Sequence, residues 1–118
     1  MAYVDGFLLA IPARKLALYR RIATKAGKVW MDHGALEYRE CVGDHLVQKG
    51  SAAFQKRARA KRGEIVVFSW IVYKSRAHRD KILPKIMQDK RLTSMSAKDM
   101  PFDMKRMSYG GFKVLVDM

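Results

Sequence analysis

At 118 residues the chain has room for one domain and one core. Its 49% hydrophobic and 30% charged residues exclude wholesale disorder, and no apolar run approaches the roughly 20 residues of a membrane span. Twenty-four Lys and Arg against eleven Asp and Glu leave a net charge of +13 and a pI near 10.2.

Residues 3–11 have the apolar density and length of a strand. Pro12 suits the first turn of a helix. From there Leu16, Tyr19, Ile22, Ala23, Ala26, Trp30 and His33 recur at three- and four-residue steps, an amphipathic helix of about six turns that Gly34 is placed to end. Residues 35–43 read as a second strand. Residues 64–74, rich in β-branched and aromatic side chains, read as a third. Ser75 is a good N-cap for a helix running to about Lys90. Pro84 should kink that helix or break it in two, because its N–H is absent and its ring opposes the Asp80 carbonyl. A loop follows over 93–101, with one helical turn at Ala97–Met100. The last strand should span Asp103 to Val116, with Gly110-Gly111 as a bulge in preference to a hairpin turn. The order βαββαβ predicts an α+β class, ferredoxin-like sandwich: a four-stranded antiparallel sheet with two helices on one face, in a single domain over 1–118.

Two helices cover one face of such a sheet, and the other should alternate apolar with polar residues if it meets water. The third strand does not alternate. Ile65, Val67, Ile71 and Tyr73 point one way and Val66, Phe68, Trp70 and Val72 the other; Phe7, Leu9 and Ile11 oppose Val4, Leu8 and Ala10 in the first. A second copy of the same sheet is the simplest cover, so the expectation is a homodimer with sheet packed on sheet.

Long blocks of the chain support a family resemblance. Tyr3-Val4-Asp5-Gly6-Phe7, Lys28-Val29-Trp30, His33-Gly34-Ala35-Leu36-Glu37-Tyr38, Val67 to Asp80, Pro101-Phe102-Asp103 and Tyr109-Gly110-Gly111-Phe112 resemble the bacterial family catalogued as domain of unknown function 1428. The resemblance implies a dimeric α/β barrel, built from ferredoxin-like subunits that pair through their sheets. It carries no assigned reaction. Pro84 and the very basic stretch before Glu64 depart from the family pattern.

A basic arm, 45–63, is inserted between the second and third strands. It holds Lys49, Lys56, Arg57, Arg59, Lys61 and Arg62 and no acid, +6 of the +13. Such an arm could track phosphates, or it could be a solvated segment anchored by Phe54 and Ala58. Glu64-Ile65-Val66-Val67-Phe68-Ser69-Trp70 lacks the leading base and the glycines of an RNA-recognition strand, so weak, non-specific nucleic-acid affinity is the expectation. His33, His45 and His78 have no zinc-like spacing to a partner, and no Gly-rich phosphate loop is present. Neither metal nor cofactor is expected. Cys41, without an adjacent base, reads as a small core residue, and its being the sole cysteine leaves no intrachain disulfide. With no basic flank ahead of an apolar stretch at the amino terminus, the expected location is cytosolic. What remains is an aromatic-walled pocket between sheet and helices, with Trp30, His33, Glu37, Trp70, Tyr73, His78, Arg106 and Tyr109 as candidate lining. The function expected is small-molecule binding, or a cofactor-free enzyme, in a cytosolic homodimer; the alternative is a basic nucleic-acid-associated protein.

Overall fold

The computed structural model describes residues 1–50 and 52–118. Four strands, β1 (Tyr3–Pro12), β2 (Glu37–Val42), β3 (Glu64–Tyr73) and β4 (Ser108–Lys113), form one sheet in the order β2-β3-β1-β4. Every neighbouring pair is antiparallel. Helix α1 (Leu16–Asp32) follows β1 after a short 3-10 turn at Ala13–Lys15, and α3 (Arg76–Met87) follows β3. The arm carries a one-turn helix, α2 (Phe54–Arg57), and α4 (Lys90–Thr93) follows α3. This is the ferredoxin-like plan.

Strand parity sorts the side chains. Asp5, Leu9 and Ile11 of β1 and Val67, Ser69, Ile71 and Tyr73 of β3 turn toward the helices and are buried. One core cluster joins Val29 of α1 to Ile71, Tyr73, Ile82 and Ile86; a second joins Tyr19 and Ala23 of α1 to Leu9, Ile11 and Val67. α1 is closed by Gly34, whose φ of +109° suits a residue without Cβ. A second glycine, Gly27, sits inside the helix because a Cβ there would lie 2.9 Å from the Tyr38 ring.

Two sequence expectations are corrected and a third is narrowed. Of the kink or break expected at Pro84, the break does not occur: α3 runs unbroken from Arg76 to Met87. Ile82 and Ile86, 5% and 0% exposed, anchor the helix on both sides of the proline, and burying two isoleucines outweighs one missing hydrogen bond. The interruption comes later, at Gln88–Asp89, where the Asp89 side chain accepts the Arg91 amide and caps α4. β4 begins at Ser108, not at Asp103, because Asp103 caps a 3-10 turn over Met104–Arg106. Gly110-Gly111 is neither bulge nor turn: β4 pairs with β1 residue for residue from Ser108 to Lys113. The ladder stays regular there, and the Phe112 ring lies over Gly6, 3.4 Å from where a Cβ would be.

The outer face of the sheet is partly covered by the chain itself. Ala58 of the arm is fully buried against Ala10 and Val66, with Leu46, Leu8 and Ala60 around them. Phe54 meets Phe68 edge to face at 6.2 Å. Phe68 nevertheless stays 45% exposed and Phe112 62%, and Trp70 and Val72 are half-buried. Cys41, read as core, is only half-buried on this face opposite Phe68, because β2 is an edge strand.

Candidate functional site

Between the inner face of the sheet, α1 and the segment from α4 to β4 lies a cavity of about 360 Å³. Phe7, Tyr19, Trp30, Tyr38 and Phe102 supply aromatic walls, and Met87, Met95, Met100, Met104 and Met107 supply flexible ones. Five of the chain's eight methionines therefore gather at one place, where unbranched thioethers can follow ligands of different shape. The polar groups are few. Glu40 of β2 accepts the Tyr19 hydroxyl on Oε1 at 2.7 Å and the Tyr38 hydroxyl on Oε2 at 2.8 Å. Burial, reinforced by the Glu40 charge, pushes both phenols well above the usual tyrosine range, so each remains a donor. Ser69 lies directly across the β2–β3 ladder from Glu40 and is 4% exposed. A wider groove of about 680 Å³ between α1 and β2 shares Tyr19, Ala23, Tyr38 and Glu40 with this cavity.

The eight residues named from sequence do not converge. Trp30 lines the cavity and donates from Nε1 to the Tyr73 hydroxyl at 3.1 Å. Tyr73 in turn donates to Asp5 Oδ2 at 3.0 Å. Arg79 closes the chain with its Nε 3.2 Å from the same oxygen and its Nη2 2.7 Å from the Tyr109 hydroxyl. Tyr109 stacks on Phe7 at 4.8 Å. Burial raises the pKa of Tyr73, and of Tyr109 less strongly. Asp5 is 1% exposed, and its Oδ1 has no hydrogen-bond partner among the described residues. His78 accepts the Lys74 amide on Nδ1, and its ring meets Tyr73 edge to face at 6.2 Å. His33 caps the end of α1 and faces Asp89 at 3.0 Å. The Arg91 hydrogen bonds, then that of His33, hold the Asp89 carboxyl well below the usual carboxylate range. Glu37 and Trp70 pair with each other at 3.0 Å, their side chains on the opposite face of the sheet by register, although Trp70 also borders the cavity.

Arg106 lies at the far end and ties three segments together. It grips Glu64 through two bonds of 2.7 and 2.8 Å and donates to the Arg59 carbonyl at 2.8 Å. Arg59 answers by donating to the Lys105 carbonyl at 2.8 Å. The Arg106 hydrogen bonds draw the Glu64 carboxyl down from 4.5 to about 2. Its folded-state pKa is depressed, so the stabilisation is full above about pH 4.5 and is lost as the pH falls toward 2. Arg106→Gln should therefore lower the melting temperature at neutral pH and flatten the fall between pH 4.5 and 2.5. An acid profile parallel to that of the wild type would count against the clamp.

Sequence reasoning missed Glu40, Tyr38, Tyr19 and Ser69, together with Asp5 and Arg79. Parity within β2 offered a signal, since Tyr38 and Glu40 share the face opposite Glu37, Arg39 and Cys41. Ser69 was the one polar interruption of an apolar strand. Among the described residues no three His, Cys, Asp or Glu side chains converge as metal ligands, and no helix is long and apolar enough to cross a membrane.

Sheet order and cavity together define a ferredoxin-like α+β protein with an apolar chamber beneath its helices. The chain belongs to the family described as "Protein of unknown function (DUF1428)", whose model matches residues 2–104. It is 42% identical over 117 residues, 99% of each chain, to the "Uncharacterized protein YbaA" of Escherichia coli, and to the protein of the same name in Shigella flexneri to the same degree. It is also similar in structure to an uncharacterized NIPSNAP domain protein from Burkholderia xenovorans. The TM-score is 0.59 at 14% identity, covering 95% of this chain and 93% of that one. At that identity the likeness is one of fold.

Proposed function

We propose that the protein binds a predominantly apolar small molecule in the cavity walled by α1, the sheet and the five methionines, and that it does so in the cytosol as a homodimer paired through its sheets. One observation carries the binding reading: about 360 Å³ of aromatic and methionine-lined space with Glu40 and Ser69 as its inner polar groups, the usual form of a small-molecule site. The apolar outer face around Phe68, Trp70 and Phe112 supports the pairing. Solvent extraction of the purified protein followed by mass spectrometry tests the binding. Ala26 lines the cavity from α1, and Ala26→Phe should plug it. The expected result is a small molecule released by the wild type and lost from the folded Ala26→Phe variant. Extracts of the two that do not differ would sink the proposal.

A second reading, association with nucleic acid, has one observation behind it. Lys49, Lys56, Arg57, Lys61 and Arg62 are all exposed, whereas Arg59 is committed to holding the arm in place. Neutralising Lys56, Arg57, Lys61 and Arg62 should leave the melting temperature nearly unchanged. Any RNA affinity should fall, with each lost phosphate contact removing about 0.7–0.9 from the log–log salt slope. Sequence-selective binding that persists at physiological salt and disappears in this variant would make nucleic acid the leading partner.

A further inference from the structure

Glu40 is hydrogen-bonded but makes no ion pair: Arg39, which also borders the cavity, pairs with Glu37 at 3.3 Å. Each Glu40 oxygen accepts one phenol, which leaves one lone-pair site on each still free. None of the ion pairs among the described residues includes Glu40. A partly buried carboxylate without a cation is costly unless something supplies one. Across the ladder, Ser69 is 4% exposed and lines the same cavity. Its hydroxyl makes none of the side-chain hydrogen bonds among the described residues and faces the cavity; the sealed side-chain atoms without a partner are instead Asp5 Oδ1 and Gln55 Oε1. Two register partners on one face thus present a negative charge and a free hydroxyl side by side, roughly 5 Å apart at Cβ, with apolar walls around them.

Resting on the small-molecule reading above, we infer that the cavity takes a hydrophobic amine: a protonated primary or secondary amine on an aromatic or branched apolar body, its ammonium seated between Glu40 and Ser69. An ammonium carries donors that must be met once water is left behind. Glu40 meets one of them with a charge-assisted bond and the Ser69 oxygen accepts another. Tyr19 and Tyr38, held as donors, lend Glu40 no positive charge, so its negative charge is left to the ligand. Their rings and that of Trp30 also suit a nearby cation. The volume lies at the small end of ligand cavities. A carboxylic acid would set a second negative charge beside Glu40. The chain's +13 charge repels cations at long range, but salt screens that field within about 8–10 Å, and the nearest carboxylate decides the preference.

Three probes with one apolar body separate the two levels of the proposal: naphthylmethylamine, naphthylmethanol and naphthylacetate, titrated by calorimetry into the wild type, Glu40→Gln and Ala26→Phe. The amine should bind the wild type at least about tenfold more tightly than the alcohol, as expected for a hydrogen bond to a charged group, and the acid should bind most weakly. Glu40→Gln should bring the amine down to the level of the alcohol and leave the alcohol within about twofold. Ala26→Phe should weaken all three. Circular dichroism checks that each variant folds. Should Glu40→Gln fail to fold, Ser69→Ala provides the same contrast, weakening the amine several-fold more than the acid. If amine and alcohol bind alike and Ala26→Phe blocks both, the cavity reading stands and the amine inference falls. If no probe binds the wild type more tightly than it binds Ala26→Phe, both fall.

Discussion

Phe68→Asp is expected to leave a folded chain that sediments at 13.6 kDa where the wild type, at micromolar concentration, sediments at twice that mass. Phe68 is 45% exposed on the outer face of β3, so in a lone subunit the shorter new carboxylate reaches water and the fold loses chiefly the edge contact with Phe54. In a sheet-to-sheet dimer the same charge would be buried among Trp70, Val72 and Phe112 with nothing to pair it, at a cost of several kcal/mol. That corresponds to a loss of about a hundredfold or more in association. Val67→Asp, one residue earlier, is the control. Val67 is 0% exposed and faces α1, so the same substitution there should unfold the chain, because successive strand residues point to opposite faces. A wild type that stays monomeric at micromolar concentration would remove the basis for the homodimer.

Arg79→Ala should lower the melting temperature by roughly 10–20 °C, the counterpart of about 3–5 kcal/mol for stripping one partner from a buried ion pair. Asp5 is 1% exposed and Arg79 is the cation that reaches it, at 3.2 Å. Without the guanidinium only the Tyr73 hydroxyl remains as a donor to Asp5 Oδ2, and Tyr109 loses its partner as well. Replacing both members with apolar residues, Asp5→Val with Arg79→Met, should recover much of the loss, since the penalty comes from the orphaned charge. A melting temperature within about 2 °C of the wild type for Arg79→Ala would show that Asp5 does not depend on this pair.

The outer face shows how far apolar patterning can be read. The doubly apolar third strand was plain in Val66, Phe68, Trp70 and Val72 set against Val67, Ile71 and Tyr73. A second cover for the sheet followed from it. Part of that cover is the chain's own Ala58, Leu46 and Ala60: Phe54 and Ala58 were legible as the anchors of the arm, but the strands they settle on, β1 and β3, were not, because a single alanine says nothing about which distant strand lies beneath it. Pro84 is a similar case. Its chemistry predicted a kink or a break, and no break followed, because the depth of Ile82 and Ile86 in the core outweighs one missing hydrogen bond.

Element types, strand parity, the Ser75 cap and the Gly34 terminus were written in the chain, because each depends on residues within a few positions of one another: a period of two or 3.6, a hydroxyl three residues from an amide, a glycine where φ is positive. The site was not local in this sense. Tyr19 and Tyr38 meet on one carboxylate, and methionines 87 to 107 meet Trp30 of α1, only after β2 has paired with β3 and the segment from α4 to β4 has folded back over the sheet. Trp70 and Glu37, sound aromatic and acidic candidates by type, went to the outer face by parity and register. Which side chains share a cavity depends on pairings 20 or more residues apart, such as the 21 residues between Tyr19 and Glu40, and only the closed tertiary structure sets those distances.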